Sequence, residues 1–184
     1  MAEPFKNMYN EQFLERFSKD LKRIIPDFDA YEFVNQVMDD QWQKREFKQR
    51  TAHIATILKK FLPVDYKKAI AKIIELLDYI EKTQPDFSKI DDTKFGLILE
   101  YGAVLDNYVE QYGLHDYETS IRAIEKITQF TSCEFVTHSF IMKYPKEMME
   151  QMLVWSKHKH WGVRRLASEG CRPRLPWAMA LPHL

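Results

Sequence analysis

At 184 residues, with 45% hydrophobic and 29% charged side chains, the chain can bury one sizeable core, and a single domain is the expectation. Its 27 basic and 27 acidic residues cancel to a net charge of 0, which excludes a uniformly polyanion-binding surface. Only 5 glycines argue against a sheet built on tight turns, and no stretch approaches the roughly 20 apolar residues that cross a bilayer.

Apolar residues recur at helical spacing along the chain. Phe13, Phe17, Leu21 and Ile24 form the first stripe, and Ile54, Ile57, Leu58 and Phe61 the second. Ile70, Ile73, Ile74 and Leu77 come next, then Leu97, Leu105 and Val109. Breaks fall near Pro26, Pro63, Pro85, Gly113, Pro145 and Pro173, and no segment alternates as a strand does. The pattern predicts helices over 10–25, 29–38, 44–62, 65–82, 94–112, 116–130, 132–143, 145–156 and 160–170. Such helices joined by short turns form antiparallel pairs. Without an exact period they read as an all-α, HEAT-like solenoid with one concave wall, and a compact helical bundle is the alternative.

Two helix starts carry chemical marks. Thr131 and Glu134 have the spacing of a capping box, and Pro145 followed by Glu147 offers a proline at the first helical position with an acid in the first turn. In the last helix Val163, Leu166, Ala167 and Gly170 fall on one side, the expected core stripe. Arg165 and Glu169 share another face, as do Arg164 and Ser168. Trp42 and Trp155 are assigned to the core. His53 and His138 lie beside apolar residues with no second histidine or cysteine at ligand spacing, so no metal is expected. Cys133 and Cys171 read as reduced thiols, and Met1 to Phe17 lacks the parts of a secretion signal, so the expected location is cytoplasmic.

Charge is unevenly spread. From Ile141 to Leu184 eight bases (Lys143, Lys146, Lys157, Lys159, Arg164, Arg165, Arg172, Arg174) face three acids (Glu147, Glu150, Glu169), a net +5. That leaves 19 bases and 24 acids, or −5, over residues 1–140. Asymmetry of this kind points to nucleic acid or another acidic partner, with a solvated basic tail as the plainer alternative.

The run WSKHKHWGVRRLASEGCRPRLPW, Trp155 to Trp177, is dense in the Arg, His and Trp side chains that bind phosphate and cover aromatic or cationic groups. Its VRRLASEG followed by RPRLPWA closely resembles AlkC-type members of the DNA alkylation repair glycosylase family, and the opening MAEPFKNMYN resembles that family's start. With the helical layout between, the resemblance spans essentially the whole chain. It implies a HEAT-like solenoid that grips double-stranded DNA. It further implies hydrolysis of the N-glycosidic bond of cationic alkylated purines of the 3-methyladenine type, without the base flipping of most glycosylases. A monomer without cofactor or metal is expected.

Carried over residue by residue, the family's active-site pattern falls on Glu134 and Phe135, on Arg165 and Glu169, and on Trp177. The resemblance gives Glu134 and Glu169 the task of facing the developing sugar cation and its water, with Trp177 packing against deoxyribose or lesion. Arg165 holds a phosphate or orients Glu169, and Phe135 shapes the apolar wall. Arg164, Arg172, Arg174, Lys157, Lys159 and His160 are the expected phosphate contacts. Local alternatives stand beside these roles: a capping box for Glu134, an exposed helix ion pair for Arg165 and Glu169, a small satellite core for Trp177.

The resemblance also implies an aspartate on a helix pair downstream of Leu-Pro-Trp. Only seven residues come after Trp177, and none is a carboxylate. The expectation is therefore one domain over 1–184 that lacks the family's C-terminal repeats, and with it a fragment of the enzyme or a non-catalytic DNA-binding scaffold as alternative functions. Without a capping repeat, Leu175, Trp177, Met179 and Leu181 are expected to be exposed.

Overall fold

The computed structural model describes residues 4–83, 92–175, 180 and 181, and for 92–99 the backbone alone. Its helices are α1 (Glu11–Ile24), α2 (Ala30–Val37), α3 (Phe47–Phe61), α4 (Tyr66–Thr83), α5 (Asp92–Tyr112), α6 (Tyr117–Thr128), α7 (Glu134–Lys143), α8 (Pro145–Trp155) and α9 (Trp161–Glu169). Two short 3₁₀ turns, Phe5–Met8 and Trp42–Lys44, complete the described regular structure, which contains no strand.

Side chains satisfy the orphan amides at many of the starts. Asn10 accepts the Phe13 amide at 2.9 Å, Asp29 the Glu32 amide at 2.9 Å, and Asp116 the Thr119 amide at 3.2 Å. Pro145 occupies the first position of α8 with Glu147 in its first turn, as predicted. The predicted capping box at Thr131 does not form. Helix α7 begins at Glu134 itself, with Cys133 as the flanking residue, and the Thr131 amide instead closes the end of α6 by donating to the Ile127 carbonyl. Both side chains are claimed by other helices: Thr131 packs against Gly102 of α5, and Glu134 pairs with Arg165 of α9.

The helices stack in two rows. Helices α3, α5 and α7 pack in succession, as do α1, α4, α6 and α9, while α5 on α6 ties one row to the other and α8 packs on both α7 and α9. Packing between helices two or three apart in the chain is the pattern of a stack of helix pairs. The predicted stripes line the space between: Phe13, Phe17, Leu21, Ile54, Leu58, Ile73, Leu77, Leu105 and Val109 are all buried. Leu97 lies outside the described side chains. Trp42 and Trp155 are core residues; the Arg50 guanidinium lies 4.6 Å from the centre of the Trp42 ring, and Trp155 Nε1 donates to Glu125 at 2.8 Å. Leu181 is buried rather than exposed, because its amide folds back onto the Pro173 carbonyl at 2.9 Å; Leu175 is half-buried. No helix among the described residues is long and apolar enough to cross a membrane.

Helix α5 carries a polar row along one side. Gly102, Asp106 and Glu110 recur at four-residue spacing and face the start of α7. A Cβ added at Gly102 would lie 2.1 Å from Thr131 Cγ2 and 2.3 Å from Thr131 Cβ, so only glycine permits this approach. Glu110 accepts the Ser139 hydroxyl at 2.7 Å. Between them the Asp106 carboxyl is buried, and its Oδ1 has no hydrogen-bond partner. Burial pushes its pKa well above the usual carboxylate range, the negative charges of Glu110 and Glu134 push it further, and the Cys133 thiol and Lys48 pull only partly back. Asp106 is thus held as the neutral acid.

Two outcomes are expected of this row. Gly102→Ala gains helix propensity of about 1 kcal/mol but overpacks against Thr131, so chemical denaturation should show a net loss of about 1–3 kcal/mol rather than a gain. For Asp106, the unfolded chain ionises in the ordinary range while the folded chain retains its proton, so stability is full at acid pH and is lost as pH rises through the elevated folded pKa. Asp106→Asn removes that loss. Its melting temperature relative to wild type should climb steadily from pH 4 to pH 8, and parallel curves for the two proteins would contradict a buried neutral acid.

Candidate functional site

Glu134 opens α7, and its Oε1 lies 2.8 Å from Arg165 Nη2 on α9. The contact is an ion pair without an aligned hydrogen bond. Arg165 reaches it from the side of α9 opposite Val163, Leu166 and Ala167, the stripe that is buried as predicted. The two helices come close at the far end of α9, where a Cβ on Gly170 would sit 3.0 Å from Thr137 Oγ1. The Glu134 side chain is 16% exposed and Arg165 48%, so the acid is the more enclosed partner.

The predicted pairing along α9 is replaced. Arg165 turns to Glu134, and Glu169 is held instead by Arg172 at 2.9 Å. Two physical reasons favour the exchange. An arginine placed N-terminal to a glutamate is the weaker orientation of an i,i+4 pair, and a less solvated carboxylate draws a cation more strongly. Arg165 therefore orients Glu134, not Glu169.

Around this pair the structure gathers part of the predicted set. Phe135 is half-buried beside Glu134, with Lys48 Nζ 4.8 Å from the centre of its ring. Arg164 donates from Nη1 to the carbonyls of His158 and Lys159, both at 2.8 Å, and so braces the turn that precedes α9. His160 caps that helix: its Nδ1 accepts the Gly162 amide at 3.2 Å, and burial together with His158 and Arg164 lowers its pKa, which keeps the ring neutral. Lys157, Lys159 and Arg174 are exposed and form no ion pair among the described residues. Trp177 lies outside the described residues.

Two participants escape sequence reasoning. Asp106 lies behind Glu134, and its signal was available as the Gly102, Asp106, Glu110 row within an otherwise apolar helix. Lys48 left no local signal, because α3 and α7 meet only in the fold. Among the described residues no group of three or more His, Cys, Asp or Glu is arranged to hold a metal, and Cys133 and Cys171 are free thiols. His53 Nε2 instead meets the Val37 carbonyl at 3.1 Å.

No protein-family model matches the sequence. The uncharacterized protein YhaZ of Bacillus subtilis (strain 168) is 34% identical over 179 residues, covering 97% of this chain and 45% of its own length. The Pseudomonas fluorescens alkylpurine DNA glycosylase AlkC, solved bound to DNA containing an abasic site analog, superposes with a TM-score of 0.82 at 28% identity. That match covers 98% of this chain and 46% of AlkC, so the chain spans about half the length of the relatives it matches. With its two stacked helix rows and a likeness extending through nearly every residue, this chain has the AlkC-type helical-repeat fold.

Proposed function

We propose that this chain serves DNA alkylation repair as a glycosylase that hydrolyses the N-glycosidic bond of cationic alkylated purines, of the 3-methyladenine type, without flipping the base. The observation that carries the reading is the Glu134 carboxylate held across two helices by Arg165, in a fold shared with a DNA-bound alkylpurine glycosylase. In this reading it acts as a monomer in the cytoplasm on double-stranded DNA, without cofactor or metal.

The chemistry asks little of the protein. An N3- or N7-alkylated purine already carries positive charge, so it departs as a neutral base with the electrons of the C1′–N bond and needs no general acid. Water then adds to the sugar cation at C1′ and loses a proton. Glu134 and Glu169 lower the energy of that cation as carboxylates do in glycoside hydrolysis. Trp177 packs a π face against the sugar or lesion, and Phe135 supplies the apolar wall. Arg165 sets Glu134 and shares a phosphate, while Arg164, Arg172, Arg174, Lys157, Lys159 and the ring of His160 meet the DNA backbone.

One observation favours a second reading, a DNA-binding scaffold without chemistry: Glu134 and Glu169 are each already neutralised by an arginine. Release of 3-methyladenine from methylated duplex DNA separates the two. Under the catalytic reading Glu134→Gln and Glu169→Gln each slow release about 10- to 100-fold while DNA affinity is kept. Wild type that releases no more base than either variant, yet binds DNA with steep salt dependence, supports the scaffold. Unchanged DNA binding by Arg165→Ala and Arg174→Ala removes the nucleic-acid reading altogether.

A further inference from the structure

Trp42 and Trp155 are buried, but Trp161 at the start of α9 is 58% exposed, although an indole is among the most costly side chains to leave in water. Its position is set by the helix. With Val163, Leu166 and Ala167 turned to the core, Trp161, Arg165 and Ser168 run along the opposite face. Trp161 and Arg165 are one turn apart on this face, about 5–6 Å between Cβ atoms, which places Trp161 one helical turn from the arginine of the Glu134–Arg165 pair.

The indole also stands on a fixed base. A Cβ on the next residue, Gly162, would lie 2.9 Å from the Thr128 carbonyl, so the first turn of α9 is pressed directly against α6. The neighbouring His160 ring, held by the Gly162 amide, stacks beside the indole at 5.9 Å between centroids and 25° between planes. Around it the chain carries Lys157, Lys159, Arg164 and Arg165, all exposed. A flat apolar surface bordered by cations complements a ligand that combines flat apolar faces with a regular array of negative charge. DNA has that composition; an acidic peptide lacks the repeated flat faces.

We propose that Trp161 is a contact platform for the apolar face of a nucleoside in bound DNA, extending the Glu134–Arg165 site by one helical turn. This rests on the reading of the chain as a DNA-binding protein. Trp161 carries no charge, so its contribution is separable from that of the phosphate contacts: it sets affinity without changing the number of counterions released.

The test measures affinity of wild type, Trp161→Ala, Trp161→Phe and Lys157→Ala, over a range of salt, for an intact duplex and for one carrying an abasic-site analogue. Trp161→Ala should weaken binding about tenfold at every salt concentration with an unchanged salt slope, the scale of one lost base–aromatic contact. Trp161→Phe should retain most of the affinity, whereas Lys157→Ala should flatten the slope by about one phosphate contact. A penalty on both duplexes places the contact away from the missing base, and a penalty confined to the intact duplex places it at the nucleoside that the analogue lacks. Trp161→Ala that binds both duplexes as wild type does overturns the platform and leaves the proposed function standing. Wild type with no DNA affinity at low salt overturns both. A Trp161→Ala loss accompanied by a lowered melting temperature and a flattened salt slope also overturns the platform, because the residue would then be structural.

Discussion

The ion pair between Glu134 and Arg165 joins the row containing α7 to the row containing α9, and it does so in front of a second, deeper carboxyl. Two acids in close surroundings cannot both ionise cheaply in a medium that screens poorly. The structure resolves the conflict by division. Burial first, then the charges of Glu110 and Glu134, push the Asp106 pKa up and favour its neutral form, and the more accessible Glu134 receives the guanidinium. The close approach of α5 to the loop before α7, which Gly102 permits, and of α9 to α7, which Gly170 permits, is what brings the three groups together.

The periodic signals in the sequence located each α-helix among the described residues, with ends displaced by three residues at most. The largest displacement, at the start of α3, arises because Trp42–Lys44 forms a 3₁₀ turn and the chain bends at Arg45 before the helix proper begins. The pairing of the candidate residues was not legible in the sequence. Thr131 and Glu134 have capping-box spacing, yet Thr131 packs against Gly102 and Glu134 turns to α9. Arg165 and Glu169 have ion-pair spacing, yet each finds a partner elsewhere. Glu134 and Thr131 are drawn into contacts between helices and so is Arg165, while Glu169 is left to its i+3 neighbour Arg172; contacts between helices cannot be anticipated from spacing along one helix.

The excess positive charge of the C-terminal segment is also less free than its composition suggests. Arg165 and Arg172 are matched to acids, and Lys143 and Arg164 donate to backbone carbonyls. Lys157, Lys159 and Arg174 project from the chain without such partners among the described residues. Four of the segment's eight bases are therefore engaged within the chain.

Arg164 also ties down the backbone of the turn that precedes α9. It donates to two successive carbonyls, and the His160 amide donates to His158 Nδ1 at 3.0 Å, so the turn between α8 and α9 is braced from both sides. The lysines on that turn, Lys157 and Lys159, are exposed side chains on a backbone tied by these hydrogen bonds. A ligand that docks here orders a few rotamers and no main chain, so its binding should lack the large negative heat-capacity change of segments that fold as they bind.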